Sequence, residues 1–295
     1  MNFHELSELL SKKNVIISDG ATGTNLIQRG LKQGITAENW VLEKPEKIKQ
    51  LHLDFIEAGA EIILTSTFGA SEFRLEQSGL KDMYEQVNHT AVALAKEATN
   101  NTEVLVAGSI GPLGEMLKPF GSLEIREAEF YYARQAAALC AAGIDIIVIE
   151  TQFDLNEAKA AISGVKSSCD HALVCSFSFD RGVKTMMGVS PSSFAKEMEG
   201  LGISAIGINC GKSLDDNINA LNELSKATDL PIWFKPNAGL PYLDKSGKPK
   251  YDITPEQMAN NIPAWIDAGA RIIGGCCGTT PEHLKAIANI INTSK

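Results

Sequence analysis

Eight short aliphatic runs recur along the 295-residue chain, each followed by a loop and a helical stretch. They are Val15–Ser18, Glu61–Thr67, Val104–Ile110, Asp145–Glu150, Ala172–Phe179, Ala205–Asn209, Pro231–Phe234 and Arg271–Gly274. Each is nearly continuous in Ile, Val or Leu rather than alternating with polar residues. Continuous runs fit strands buried on both faces, and such strands belong to parallel sheets. The helical stretches fall near 45–58, 82–99, 124–142, 154–166, 190–200, 214–227, 255–268 and 281–292. Pro45, Ser190-Pro191, Thr254-Pro255 and Thr280-Pro281 mark several of their starts. Eight β-α units in series predict an α/β protein with the architecture of a (β/α)8 TIM barrel. No linker or shift of composition divides the chain, so one domain is expected over residues 1–295. A short amphipathic helix at 3–11, with Phe3, Leu6, Leu9 and Leu10, is expected to plug one end of the barrel.

The bulk numbers exclude several function classes. The chain carries 27 basic and 36 acidic residues, a net charge of -9, with no basic cluster. That balance argues against nucleic acid as a partner. Met1–Leu10 has neither the basic start nor the apolar core of a signal peptide. No apolar run approaches the ~20 residues of a membrane span, so no membrane partner is expected. The reading is a cytoplasmic protein whose six cysteines serve mostly as thiols or ligands rather than disulfides.

In a barrel of this kind the chemistry sits on the loops that follow the strands. Those strand ends carry Asp19-Gly20, Thr65-Ser66-Thr67-Phe68, Gly108-Ser109, Glu150-Thr151, Asn209-Cys210-Gly211, Lys235-Pro236-Asn237 and Gly274-Gly275-Cys276-Cys277-Gly278. Neighbouring side chains on a regular strand point to opposite faces, so Cys276 and Cys277 meet one ion only where the backbone is irregular. Gly274, Gly275 and Gly278 permit that irregularity. Cys210 ends strand six and the cysteine pair ends strand eight. Together they predict one Zn2+ with three protein ligands and an open fourth position, the arrangement of a catalytic rather than a structural zinc.

Three thiolates make an electron-rich, weakly acidic zinc, better suited to holding a substrate thiol than to activating water. A thiol on zinc is deprotonated. The natural reaction is attack of that sulfur on an electrophilic methyl group. Asp19 and Glu150 are expected to receive a substrate ammonium. Ser109, Thr65 and the amides of the glycine-rich loops around Gly20 are expected to receive a carboxylate, and Asn209 joins the substrate-binding set. A thiol, an ammonium and a carboxylate describe a small sulfur amino acid.

These segments, with Asp19–Thr24, Gly108–Pro112, Gly207–Gly211 and Pro236–Pro241, resemble the homocysteine S-methyltransferase family from about residue 14 to 292. Within it they look most like the homocysteine module of cobalamin-dependent methionine synthase. The resemblance implies a zinc barrel that methylates homocysteine to methionine, with zinc on Cys210, Cys276 and Cys277. It places homocysteine near Asp19, Gly20, Thr65 and Glu150. Gly69 stands where betaine-using relatives carry tyrosine, which points away from betaine. Two donor classes remain: methylcobalamin on a separate corrinoid protein, or a sulfonium such as S-methylmethionine or S-adenosylmethionine. Lys235 stands where that module carries an aromatic residue or histidine.

Other readings compete. The barrel can be a non-catalytic zinc module that docks a corrinoid protein, or it can methylate another small thiol. Cys140 and Cys175 read as small buried hydrophobes and Cys169 as an incidental loop residue. Gly211-Lys212-Ser213 imitates a phosphate loop, but Ile206 occupies the glycine position that motif needs. The five histidines do not cluster, His283 reads as a surface residue, and Lys245–Lys250 reads as a solvated loop.

Overall fold

The computed structural model describes residues 1–32, 34–243 and 249–293. Ten strands are seen among them. Eight are β1 (Ile16–Ile17), β2 (Ile62–Leu64), β3 (Leu105–Ile110), β4 (Ile146–Gln152), β5 (Ala172–Phe177), β6 (Ala205–Cys210), β7 (Ile232–Pro236) and β10 (Ala270–Ile273). They form one parallel sheet in the order β1-β10-β7-β6-β5-β4-β3-β2. A parallel bridge between Ser18 and Ile62 joins its two edges and closes the barrel. The amide of Asp19 donates to the Ile62 carbonyl at 2.9 Å there, and that of Glu61 to the Ile17 carbonyl at 2.7 Å. The (β/α)8 barrel expected from the eight runs is the observed fold.

Side chains alternate across the sheet, and the two faces build two cores. Ile17, Ile63, Val106, Ile147, Leu173, Ile206, Phe234 and Ile273 pack outward against the helices. Ile16, Ile62, Leu64, Ala107, Ile146, Val148, Val174, Ala205, Trp233 and Ile272 fill the barrel interior. Leu6 and Leu10, from the helix Phe3–Lys12, belong to that interior cluster. The amphipathic N-terminal helix therefore seals the end of the barrel at which the strands begin.

The structure departs from the expected pattern in five places. The stretch 255–268 is two helices, Pro255–Ala259 and Ile262–Asp267, because Pro263 fits a helix start but not a helix interior. Short helices Thr22–Gln28, Ala37–Glu43 and Glu72–Glu76 lie within the loops after β1 and β2. The loop after β7 carries an antiparallel hairpin, β8 (Pro241–Leu243) with β9 (Pro249–Tyr251). Pro249 and Lys250 are thus strand residues, and the rest of the expected solvated loop, 245–248, lies outside the described residues. Cys140 and Cys169 are joined as a disulfide rather than standing as a core residue and a loop residue. Close packing of helix Ile125–Ala141 on helix Leu155–Ser168 brings their C-terminal ends together. Cys175 is a buried free thiol in mid-strand, as expected. His283, expected at the surface, is buried instead, and its Nε2 lies 2.9 Å from the Ile253 carbonyl, so it ties the last helix to the loop below the hairpin.

Candidate active site

Cys210, Cys276 and Cys277 converge at the C-terminal rim, their three sulfurs all within 4.8 Å of one another. Cys210 Sγ lies 3.1 Å from Cys276 Sγ. The backbone is bent to achieve this. Cys210 takes a left-handed φ of 61° and Gly211 one of 81°, which turn the end of β6 toward β10. Left-handed backbone is costly for a residue with a side chain and is found mainly where surrounding structure enforces it. The amide of Asn217 holds the turn, its Nδ2 donating to the Cys210 carbonyl at 2.9 Å.

The glycines beside the cysteine pair serve different ends. Only Gly278 has a positive φ, of 85°. Gly274 is needed for close approach instead: a Cβ there would stand 2.6 Å from the Asp19 carbonyl oxygen. The Cys276 amide donates to the Pro236 carbonyl at 2.9 Å and the Thr279 hydroxyl to the Cys276 carbonyl at 2.7 Å. These bonds hold the pair in a turn, which lets both sulfurs face Cys210.

Hydrogen bonds from Cys210 and Cys276 hold the Cys277 thiol well below its usual range. Its hydrogen bonds to the other two sulfurs push Cys210 well above it. Tyr251, on β9, adds a hydrogen bond that also favours the Cys277 thiolate. Three clustered thiols with one already inclined to ionise are a soft donor set, which suits zinc.

The sulfurs stand at the wall of a cavity of about 480 Å3, together with Gly20, Thr65, Ser109 and Glu150. Glu150 is buried, and burial pushes its carboxyl up to about 7. The Ser109 hydroxyl donates to its Oε1 at 2.5 Å. The bend that presents it comes from Thr151, with a φ of 62°, beside a register break in β4.

Two expected substrate residues do not reach the cavity. Asp19 is fully buried behind Lys235, whose ammonium lies 2.5 Å from its Oδ1. Its Oδ2 accepts the Leu64 amide at 2.8 Å. Burial pushes the Asp19 carboxyl up while the Lys235 charge pulls it down. Lys235, not Asp19, lines the cavity. Asn209 also lies behind the wall. Its Oδ1 accepts the Thr151 amide at 2.8 Å and the Ser176 hydroxyl at 2.7 Å, and its Nδ2 approaches Cys210 Sγ at 3.4 Å.

The hydroxyls expected to greet a carboxylate are already engaged. Ser109 donates to Glu150, and the Thr65 hydroxyl lies 2.6 Å from that of Thr67, which itself donates to the Ser109 carbonyl. Sequence reasoning missed the residue between them. Ser66 lines the cavity, is buried, and its Oγ has no hydrogen-bond partner among the described residues. A buried orphan hydroxyl costs free energy unless something binds to it. Nothing in the sequence separates Ser66 from its neighbours, because the distinction is one of partners. Lys235 left a signal, as a charged residue in an aliphatic strand.

A sequence model of the homocysteine S-methyltransferase family matches residues 16–291. Methionine synthase from Mycobacterium leprae (strain TN) is 29% identical over 301 residues, covering 96% of this chain and 25% of its own length. Methionine synthase from Mycobacterium tuberculosis is 28% identical over 308 residues, covering 99% of this chain and 26% of its own. The chain thus spans about a quarter of the length of these curated relatives. Among solved structures, the metallated form of the homocysteine methyltransferase MmuM from Escherichia coli superposes with a TM-score of 0.83 at 27% identity, over 96% of this chain and 99% of that one. Among the described residues, no helix is long and apolar enough to cross a membrane.

Proposed function

The chain belongs to the homocysteine S-methyltransferase family, whose chemistry is transfer of a methyl group to homocysteine, and from that premise we propose a zinc-dependent cytoplasmic enzyme that makes methionine. Cys210, Cys276 and Cys277 would hold the zinc. A zinc ion there supplies a Lewis-acid position at which a thiol gives up its proton near neutral pH. The observation that carries the reading is the company those sulfurs keep: the cavity they line also presents the buried carboxyl of Glu150, the ammonium of Lys235 and the orphan hydroxyl of Ser66.

A zwitterionic thiol fits that set end to end. Glu150 receives the ammonium, and Ser109 orients it. Ser66 donates to the carboxylate, and the positive charge of Lys235 favours that end. Gly20 and Thr65 complete the wall, with no side chain at Gly20 because its Cβ would press on the Phe55 ring at 2.7 Å. Asp19 holds Lys235 in place through their ion pair, and Asn209 orients Cys210. As the new S–C bond forms, the methyl group's bond to its donor breaks, and the electron pair leaves with the donor.

The donor is either a methyl-corrinoid partner protein or a small sulfonium. The test is to incubate zinc-loaded protein with homocysteine and, separately, methylcobalamin, S-methylmethionine, S-adenosylmethionine and betaine, and to quantify methionine. Methionine from a sulfonium identifies a self-sufficient enzyme. Methionine from methylcobalamin alone identifies a corrinoid protein as partner. A Cys276→Ser variant must lose both zinc and turnover. Full turnover without zinc would overturn the proposal.

A further inference from the structure

A second cluster of soft donors lies at the opposite end of the barrel. Cys140 stands near the C-terminal end of the helix before β4. Cys169 caps the helix after β4, and His171 leads into β5. The ligand atoms of all three lie within 4.8 Å of one another. His171 Nδ1 is 3.2 Å from Cys169 Sγ and 3.5 Å from Cys140 Sγ. All three residues are partly exposed, so a small molecule can reach them.

We propose that Cys140, Cys169 and His171 form a reversible thiol–disulfide centre that exchanges with low-molecular-weight disulfides. The Cα atoms of the two cysteines are 6.4 Å apart, within the span a disulfide bridges without moving the backbone. Among the described residues three donors gather here, and a structural zinc takes four.

The chemistry balances without any group from the active site. His171 accepts the proton of the nearer thiol, Cys169. Burial disfavours the imidazolium, so the resting ring is neutral and holds the proton only in passing before a leaving thiolate takes it. The Cys169 thiolate attacks a small disulfide, RSSR, forming a mixed disulfide and releasing one thiolate, RS−. Cys140 then gives up its proton and attacks the Cys169 sulfur. The internal disulfide forms and the second RS− leaves. Both leaving groups take up the two protons and depart as RSH. The protein loses two hydrogens and RSSR gains them. The bond ties the helix before β4 to the helix after it. The strand that carries Glu150 therefore lies inside the closed loop of 29-residue separation.

The test equilibrates the zinc-loaded full chain with graded ratios of oxidised to reduced glutathione, followed by acid quench, alkylation and peptide mapping. The Cys140 and Cys169 peptides should pass from alkylated to linked, and back, with a single midpoint. Cys140→Ser should trap glutathione on Cys169. His171→Gln should slow the exchange about tenfold without moving the midpoint, the behaviour of a proton acceptor rather than a packing residue. The proposal is overturned if both thiols stay alkylated at every ratio, or if Cys140→Ser carries no glutathione. It is equally overturned if the reduced protein takes up a second zinc that Cys169→Ser abolishes.

Discussion

The ammonium of Lys235 lies 2.5 Å from the carboxylate of Asp19, with both side chains almost wholly buried between β7 and the end of β1. The pair explains why an acidic residue at the rim does not face the cavity. A buried ion pair is fragile when one member is removed, because the survivor is left as an uncompensated charge. Lys235→Met should destabilise the protein by about 3–5 kcal/mol. Lys235→Met combined with Asp19→Asn should recover much of that loss. Urea denaturation of the two single variants and the double measures both effects, and additive losses would count against the pairing.

Glu150 makes the reaction pH-dependent. Its carboxyl is pushed up to about 7 by burial, above the model-compound value of 4.5. Only the ionised form attracts an ammonium, so kcat/KM for homocysteine should fall as pH drops below about 7. Glu150→Gln should lose this limb of the profile along with most of the affinity. The stability effect has the opposite sense. A folded-state value above the unfolded one contributes stability that is complete below pH 4.5 and is lost as pH rises through 7. The ligand-free Glu150→Gln variant should therefore be more stable than the parent above pH 7, by up to about 3 kcal/mol. A thermal melt at pH 8 checks the sign.

Ser66 separates ground-state binding from chemistry. Removing one hydrogen bond to a carboxylate costs on the order of 1.5 kcal/mol, or about tenfold. Ser66→Ala should raise KM for homocysteine by about that factor with kcat nearly unchanged. An unchanged KM would place the substrate carboxylate elsewhere.

The plug at the far end is structural. Leu6 is fully buried in the barrel interior. Leu6→Ala should cost about 2–5 kcal/mol by leaving a cavity. Zinc content and KM should stay at the parent's values, which equilibrium unfolding and metal analysis together can verify.

Much of this molecule is legible in its sequence, and the reasons are physical. The eight strands are short and buried on both faces, so hydrophobicity marks them even where β1 is only Ile16–Ile17. Cys210 and the Cys276-Cys277 pair are visible because strand ends define the rim. What hides are properties of pairs. Lys235 and Asp19 lie 216 residues apart, and their union depends on β1, β10 and β7 being neighbours in the closed barrel. Cys140 and Cys169 meet only because two helices pack side by side. Ser66 differs from Thr65 and Thr67 in having no partner. The irregular backbone expected around the cysteine pair also arises differently, with Cys210 itself in the left-handed region and Gly274 serving for close approach.

The central claim is that Cys210, Cys276 and Cys277 hold one zinc whose remaining position takes the substrate sulfur. X-ray absorption at the zinc edge, with and without homocysteine, tests it most directly. The account predicts one zinc per chain with three sulfur neighbours, rising to four when homocysteine is added, and no bound zinc in Cys210→Ser. A zinc whose sulfur count does not change on addition of homocysteine would contradict it.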